Sequence, residues 1–321
     1  MPNTPRNAPA EVRAVVAEIR PEATGVVSVR LEPAAGDKMP AWEPGAHIDL
    51  VLGPDLERQY SLCGDPTDLR SWRIGVLREP ASRGGSAHVH EKLVVGDEVL
   101  CRGPRNNFAL DAAEEYLFIA GGIGITPILP MIRACAAERK PWRLVYGGRT
   151  EASMAFRTEL DAHGDLVTVW PQDEKGLLDL GGLLATPSPG TQIYCCGPGA
   201  LLDAVEERCA TWPVGALHLE RFRPKDGALD GENSTFEVVL DHSDISITVT
   251  ADQTVAEAIE AAGVDVPTSC REGTCGTCET VVLEGDPDHR DSFLTAQEKA
   301  SNEVMMVCCS RSHSDRLVLD L

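Results

Sequence analysis

The chain of 321 residues is poor in positive charge. Lys and Arg number 29 against 50 Asp and Glu, a formal net charge of -21. A nucleic-acid partner is excluded on that ground, because neutralising phosphates needs a basic surface. The excess of acid serves solubility, or it steers the chain toward a basic protein partner. No apolar run reaches the roughly 18 residues that a membrane span needs, and the start, MPNTPRNAPAEVRAVVAEIR, has no apolar stretch of the secretory kind. A cytoplasmic protein that touches no membrane is expected. The eight histidines form no C-x-H pair and no two-His-one-carboxylate set. His88 and His90 are two apart and read as surface or supporting residues rather than metal ligands. Serine-hydrolase and zinc-protease patterns are also missing. Oxygen activation and hydrolysis are therefore not expected of this chain.

What is present is an ordinary globular composition, 43% hydrophobic and 25% charged, enough to build cores. The length is about twice the ~150 residues of one typical domain. Three patterns divide it, giving a multidomain expectation. Residues 8–110 read as an antiparallel β-barrel, with short strands broken by Gly, Pro and Asp and one helix at Ser86 to Leu93. Residues 111–224 alternate apolar strands with helical stretches, the mark of an α/β parallel sheet covered on both faces. Helices are expected there from Pro127, from Ser153 and from Gly199. Residues 225–234 are polar and read as a linker. Residues 235–321 read as an α+β unit: a hairpin, a helix over 254–262 with Thr254 and Glu257 in capping-box spacing, a second such box at Thr295 and Glu298, and closing strands MMVCCS and RLVLDL.

Eleven cysteines in a reducing compartment do not make a disulfide framework. They cluster instead. Cys270, Cys275 and Cys278 form C-x4-C-x2-C, and Cys308 lies 30 positions beyond Cys278. This is the plant-type [2Fe–2S] spacing, in which two irons each take two soft thiolates. Gly273 and Gly276 allow the loop to bend tightly around a cluster. A structural zinc site is the competing reading, but zinc loops usually present two separate cysteine pairs. Cys309 is the other candidate for fourth ligand. If the two lie in a strand, adjacent side chains face opposite ways and only one of them can serve.

Residues 235 to 321 resemble a plant-type ferredoxin domain of the β-grasp kind, and the chain as a whole resembles the phthalate dioxygenase reductase family. In that family a flavin barrel, a pyridine-nucleotide domain and a C-terminal ferredoxin follow one another in this order. The ending CCSRSHSDRLVLDL is similar to the family's C-x-S-R ending, which favours Cys308 as the ligand. The resemblance implies FMN, NADH and a [2Fe–2S] cluster, with Cys270, Cys275, Cys278 and Cys308 on the metal. Arg58, Tyr60, Ser61 and Leu62 match the family's R-x-Y-S flavin strand, whose Arg and Tyr share a face. Taken alone, that tetrapeptide is commonplace. Gly84, Gly85 and Ser86 match the element that holds the FMN phosphate.

In the nucleotide segment, Gly121, Gly122, Gly124, Thr126 and Pro127 form a strand–turn–helix junction suited to a diphosphate. Thr126 is expected as the N-cap and Pro127 as the first helical residue. The resemblance makes Cys196, Gly197 and Pro198 the turn beside the nicotinamide, and Phe222 the aromatic next to the flavin. Ser61, Cys196 and Phe222 are thus the expected catalytic residues. Arg149 and Glu151, one cation and one anion, do not settle NADH against NADPH; the family favours NADH.

Nicotinamides deliver electron pairs and iron–sulfur clusters accept single electrons, so a flavin must lie between them. The expected function is the reductase component of a two-component Rieske-type oxygenase, serving a separate terminal oxygenase and acting as a monomer. The oxygenase's substrate, an aromatic acid or a quaternary amine, is not written in this chain. Alternatives are the same carriers serving a cytochrome P450 or an amine monooxygenase, and a zinc-binding scaffold without redox activity. Residues 234 to 321 hold 17 acidic and five basic side chains, net -12. Transient, salt-sensitive docking of this segment to the acceptor is expected.

Overall fold

The computed structural model describes residues 10–36, 38–54, 56–80 and 82–321; residues 8, 9, 37, 55 and 81 of the expected barrel segment lie outside them. The chain forms two compact units, divided between Glu220 and Arg221.

The first unit contains two sheets. Strands β1 (Glu11–Ala23), β2 (Val26–Pro33), β3 (Ala46–Gly53), β4 (Leu56–Ser61), β5 (Trp72–Leu77) and β6 (Glu98–Asn106) pair antiparallel in the order β4-β3-β6-β1-β2-β5. A bridge between Leu62 and Ile74 joins the two outer strands and closes the sheet. Closure removes the exposed edges that would otherwise invite pairing. Alternation makes the core: Ala14 and Val16 of β1, Ile48 and Leu50 of β3 and Ile74 of β5 are fully enclosed. Each such aliphatic chain contributes roughly 1.5–3 kcal/mol of transfer free energy. The helix α1 (Gly85–Glu91) caps this core through Val89.

The second sheet is parallel, in the order β11-β10-β7-β8-β9. It comprises β7 (Glu115–Gly121), β8 (Trp142–Gly148), β9 (Val167–Pro171), β10 (Thr191–Cys196) and β11 (Leu217–Glu220), with helices α2 (Ile125–Glu138), α3 (Arg157–Asp161), α4 (Gln172–Lys175), α5 (Leu180–Leu183) and α6 (Gly199–Arg208). Residues 116–121 of β7 are buried on both faces, as a covered parallel strand requires. The chain runs outward from β7 through β8 and β9, then returns to the other side for β10 and β11. The strand order therefore reverses between β7 and β10, where open α/β sheets bind ligands. The helix expected from Ser153 begins only at Arg157. Residues Glu151–Ser153 form a single 3-10 turn, and Phe156 has φ +61°, which interrupts a continuous helix.

The second unit is a β-grasp. Its sheet runs β13-β12-β18-β14-β16, from β12 (Phe236–Leu240), β13 (Ile245–Val249), β14 (Glu279–Glu284), β16 (Val304–Met306) and β18 (Arg316–Leu319). A small ribbon pairs β15 (Pro287–Asp288) with β17 (Arg311–Ser312). Only β12 and β18 are parallel. The helices are α7 (Val255–Ala261) and α8 (Ala296–Ser301). Phe236, Val238 and Leu240 of β12 and Val255 and Ile259 of α7 share the core. Residues 225–234 are bound to this unit. Lys225 N–H donates to Ser292 Oγ at 2.8 Å, Arg290 to the Glu232 carbonyl and Asn233 Oδ1, and Arg311 to the Ser234 carbonyl.

Both expected capping boxes form. Glu257 N–H donates to Thr254 Oγ1 at 3.1 Å while Thr254 N–H donates to Glu257 Oε2 at 2.8 Å; Thr295 and Glu298 repeat the pattern. Replacing Thr254 by Ala is expected to destabilise this unit by about 1 kcal/mol, read as an earlier melting step at 25 °C-corrected stability; an unchanged melt would refute the capping account.

Candidate functional site

Three clusters of side chains stand out, and strand ends position all of them. The first is on β4. Arg58 and Tyr60 lie opposite Leu50 and Ile48 on β3, and Ser61 lies opposite His47. Arg58 donates to the Glu57 carbonyl at 2.7 Å and to the Arg83 carbonyl at 2.6 Å. Its stem crosses Gly85 so closely that a Cβ there would be 2.3 Å from Arg58 Cγ. Arg58 and the Gly84–Gly85–Ser86 turn are thus one structure, a cation laid across a glycine turn, and this suits a monophosphate. Gly84 has φ +96° and starts α1 with no side-chain cap. Ser86 Oγ is engaged locally, accepting from Glu79 N–H at 3.1 Å and donating to Ser82 Oγ at 3.0 Å. Burial pushes the Tyr60 phenol up to about 12, so it stays neutral. Leu62 is different: its side chain is in the barrel core and it helps close the sheet. His90 Nε2 is 2.9 Å from the Val76 carbonyl, a structural contact.

The second cluster fills the reversal point of the parallel sheet. Here the glycines interlock. A Cβ on Gly124 would lie 2.2 Å from the Cys196 carbonyl oxygen, and one on Gly121 would lie 2.7 Å from Pro198 Cδ. A Cβ on Gly197 would meet Gly121 Cα at 3.0 Å. Neither Gly121 nor Gly124 has a positive φ; they are glycine so that the two turns can touch. Gly122, at φ +55° with open space above it, is the one that requires glycine for its backbone. Tyr146 Oη donates to the Gly122 carbonyl at 3.1 Å and pins the turn.

The expectation for Thr126 and Pro127 is corrected here. Helix α2 begins at Ile125 with Gly124 in the cap position, after a 3-10 turn over Gly122–Gly124. Thr126 is already helical, and its hydroxyl donates back to the Ile123 carbonyl at 2.9 Å. Pro127 therefore occupies the third helical position, where a missing N–H still costs nothing.

A residue that the sequence reading missed completes this cluster. Glu220, the last residue of β11, is in register with Cys196 on β10. The Cys196 thiol donates to Glu220 Oε2 at 3.9 Å, and Ser61 Oγ donates to the same atom at 3.5 Å. Barrel and parallel sheet therefore meet at Ser61, Cys196 and Glu220. Burial pushes the Glu220 carboxyl up to about 8 and the Cys196 thiol well above its usual value. The available signal was an acid at the C-terminal end of the apolar strand ALHLE. Phe222 opens the second unit and is 42% exposed.

The third cluster is sulfur. The thiol of Cys270 contacts those of Cys275 and Cys308, and Cys278 contacts Cys308. Sharing of protons among these contacts pushes Cys270 and Cys278 up and Cys275 and Cys308 down. Two backbone amides, of Glu272 and Thr274, donate to Cys270 Sγ at 3.3 and 3.4 Å. Four convergent thiols with amide donors fit a cluster that needs thiolates and hydrogen bonds to its sulfurs. Gly273 and Gly276 both have φ +69°. The expected strand over MMVCCS stops at Met306, so Cys308 and Cys309 lie in a turn and strand alternation does not decide between them. Position does. Cys308 meets Cys270 and Cys278, whereas Cys309 Sγ lies where a Gly273 side chain would be, 2.5 Å from its ideal Cβ, and donates to the Met306 carbonyl at 3.8 Å.

Comparison with known proteins identifies two kinds of domain in the chain. Residues 238–313 match the 2Fe-2S iron-sulfur cluster binding domain, and residues 118–207 match the oxidoreductase NAD-binding domain. The vanillate O-demethylase oxidoreductase of a Pseudomonas species is 42% identical, over 97% of this chain and 100% of its own. Phthalate dioxygenase reductase, solved as a modular structure for electron transfer from pyridine nucleotides to [2Fe-2S], superposes with a TM-score of 0.72 at 35% identity, covering 97% of this chain and 98% of that one. The chain belongs to the phthalate dioxygenase reductase family. A self-sufficient cytochrome P450 monooxygenase superposes with a TM-score of 0.88 at 43% identity, but this chain spans only 41% of that longer one. Membership makes the chain an NAD-binding, iron–sulfur reductase of the kind that serves an oxygenase. Among the described residues no helix is long and apolar enough to cross a membrane.

Replacing Gly273 by Ala would force a left-handed backbone onto alanine and drive its Cβ toward Cys309 Sγ and Asp291 Cα, 2.5 and 2.8 Å away. Purified Gly273→Ala protein is expected to lose most of its iron and acid-labile sulfide while its melting transition for the first unit stays in place. Full iron loading would contradict the loop geometry.

Proposed function

We propose that the chain carries electrons from NADH to a separate terminal oxygenase, with FMN on the barrel and a [2Fe–2S] cluster on the second unit. A bound flavin would supply the conversion of paired into single electrons, which neither a nicotinamide nor an iron–sulfur cluster can make. The chain's own residues bind, orient and shield. Arg58 with Gly84, Gly85 and Ser86 would hold the flavin phosphate, and Tyr60 and Ser61 its ring system. Gly121, Gly122 and Gly124 with Thr126 and Pro127 would hold the nucleotide diphosphate at the strand-order reversal. Cys196, Gly197 and Pro198 would seat the nicotinamide. Cys270, Cys275, Cys278 and Cys308 would ligate the irons. The observation that carries the reading is the meeting of Ser61, from the flavin strand, with Cys196, from the nucleotide sheet, around the one half-buried carboxyl group of Glu220.

The second unit's net charge of -12 over residues 234 to 321 supports transient docking to a basic acceptor surface, with the chain itself monomeric and cytoplasmic. The acceptor could instead be a P450 haem domain, a reading favoured by the likeness to the self-sufficient monooxygenase. Mixing reduced protein with a purified Rieske oxygenase or with a P450 decides between them by which is reduced.

Two outcomes are expected. Acceptor reduction should slow steeply as salt rises from about 0.05 to 0.5 M, since the Debye length shortens several-fold; a rate independent of salt would contradict the charge argument. Glu220 is neutral below its value of about 8 and negative above it. A charge gained there disfavours adding electrons nearby, so the flavin midpoint potential should fall more steeply with pH once pH passes about 8. Glu220→Gln should abolish that extra inflection, and its persistence would show that Glu220 is not beside the flavin.

A further inference from the structure

Two arginines from different layers of the first unit share one carboxylate. Arg73 is on β5, at the closing edge of the barrel; Arg133 is on α2, the helix that grows out of the nucleotide turn; Glu159 is on α3. Arg73 Nη1 donates to Glu159 Oε1 at 2.5 Å and its Nη2 to Oε2 at 3.0 Å. Arg133 Nη2 donates to Oε2 as well. The same two guanidinium groups converge on one backbone carbonyl, that of Cys63, each at 2.9 Å, and Arg133 also reaches the Gly64 carbonyl. Cys63 is two residues beyond Ser61. The end of the strand that presents Tyr60 and Ser61 is thereby tied to the helix whose first turn closes the glycine loop.

The packing around this knot is equally close. Arg73 lies over the Phe156 ring, 5.1 Å from its centroid. A Cβ on Gly75 of β5 would be 2.7 Å from Thr126 Cγ2 and 3.0 Å from Phe156 Cζ, so β5 rests directly on the start of α2. The side chains of Arg73, Arg133 and Glu159 are 20%, 29% and 28% exposed, less open than surface pairs, which contribute little. Bidentate, charge-assisted bonds of this kind fix orientation as well as distance. Burial would raise the Glu159 carboxyl, but Arg73 and Arg133 outweigh it and hold the group below its usual range.

We propose that Glu159 is a positioning residue for hydride transfer, setting the separation of the flavin strand from the nucleotide turn through Arg73 and Arg133. This rests on the function proposed above. Hydride transfer needs donor and acceptor carbon and nitrogen held near 3–3.5 Å, and an error of about 1 Å can cost roughly a hundredfold in rate. Neither sheet alone fixes that separation; the shared carboxylate links them at the residues nearest both ends.

The test is anaerobic rapid mixing of the intact holoprotein with NADH, comparing wild type with Glu159→Gln and with Arg133→Lys, which keeps the charge but cannot span the carboxylate and two carbonyls. The exposed pair of Glu18 and Arg30, 3.3 Å apart on β1 and β2, supplies the control Glu18→Gln. Flavin and iron content should match wild type in all variants. Glu159→Gln and Arg133→Lys should lower the flavin reduction rate roughly tenfold to a hundredfold, weaken the long-wavelength charge-transfer absorbance of nicotinamide over flavin, and change the NADH half-saturation less than threefold. Glu18→Gln should change none of these. Variants that melt earlier yet keep the wild-type rate and charge-transfer band would overturn the positioning role, as would a loss confined to NADH affinity. If Glu159→Gln does not fold, the outcome with Arg133→Lys decides. A wild-type holoprotein whose flavin NADH does not reduce would overturn the functional reading and this inference together, whereas a normal wild type with unaffected variants overturns the inference alone.

Discussion

Four thiols pressed against one another are a poor arrangement for a protein without metal. Each is pushed either to keep or to lose its proton by its neighbours. The fold nonetheless brings Cys308 from the far side of the sequence to meet the loop at Cys270–Cys278, and it uses two left-handed glycines to do so. Gly276 is closed in by the Phe293 ring, 2.5 Å from its ideal Cβ, as Gly273 is by Cys309 and Asp291. An iron–sulfur cluster turns this crowding into bonding, because thiolates are its ligands and amide N–H groups temper their charge. The rest of the molecule follows from having to feed such a one-electron site from a two-electron donor.

That requirement explains why two unlike sheets are fused in the first unit. The barrel presents β4 as a rigid platform, and the parallel sheet presents the reversal point between β7 and β10. They meet at Ser61, Cys196 and Glu220. Glycines at 121, 124 and 197 let the two nucleotide-side turns nest, and Gly75 lets the barrel edge rest on α2. Every one of these contacts would be blocked by a single Cβ. Sites on strand ends and tight turns are held more firmly than sites on free loops.

Much of this was legible in the sequence because it is local. Cysteine spacing, the change from strand-only to alternating strand and helix, and both capping boxes depend on residues a few positions apart. The Arg58 and Gly84–Gly85 pairing was legible only through family resemblance, since 25 residues separate Arg58 from Arg83, whose carbonyl it holds. What remained hidden is non-local or turns on a backbone angle. Glu220 matters because parallel pairing sets it beside Cys196, and no window around Glu220 shows that. The choice between Cys308 and Cys309 could not come from strand alternation, because the strand ends two residues early. Thr126 has the residue type of a cap, but the 3-10 turn over Gly122–Gly124 starts the helix earlier and moves the cap to Gly124. The Glu159 knot joins β5, α2 and α3 over 26 and 86 residues of sequence and has no motif at all.

The account stands on electron pairs entering and single electrons leaving the same chain. An anaerobic titration of the purified holoprotein with NADH, followed by visible absorption and by electron paramagnetic resonance, tests this most directly. The account predicts uptake of roughly three electrons per chain, two at a flavin and one at a cluster, with both visible bands bleached and the paramagnetic signal of a reduced [2Fe–2S] centre. Protein that is colourless, or whose flavin bleaches while no cluster signal develops, would contradict it.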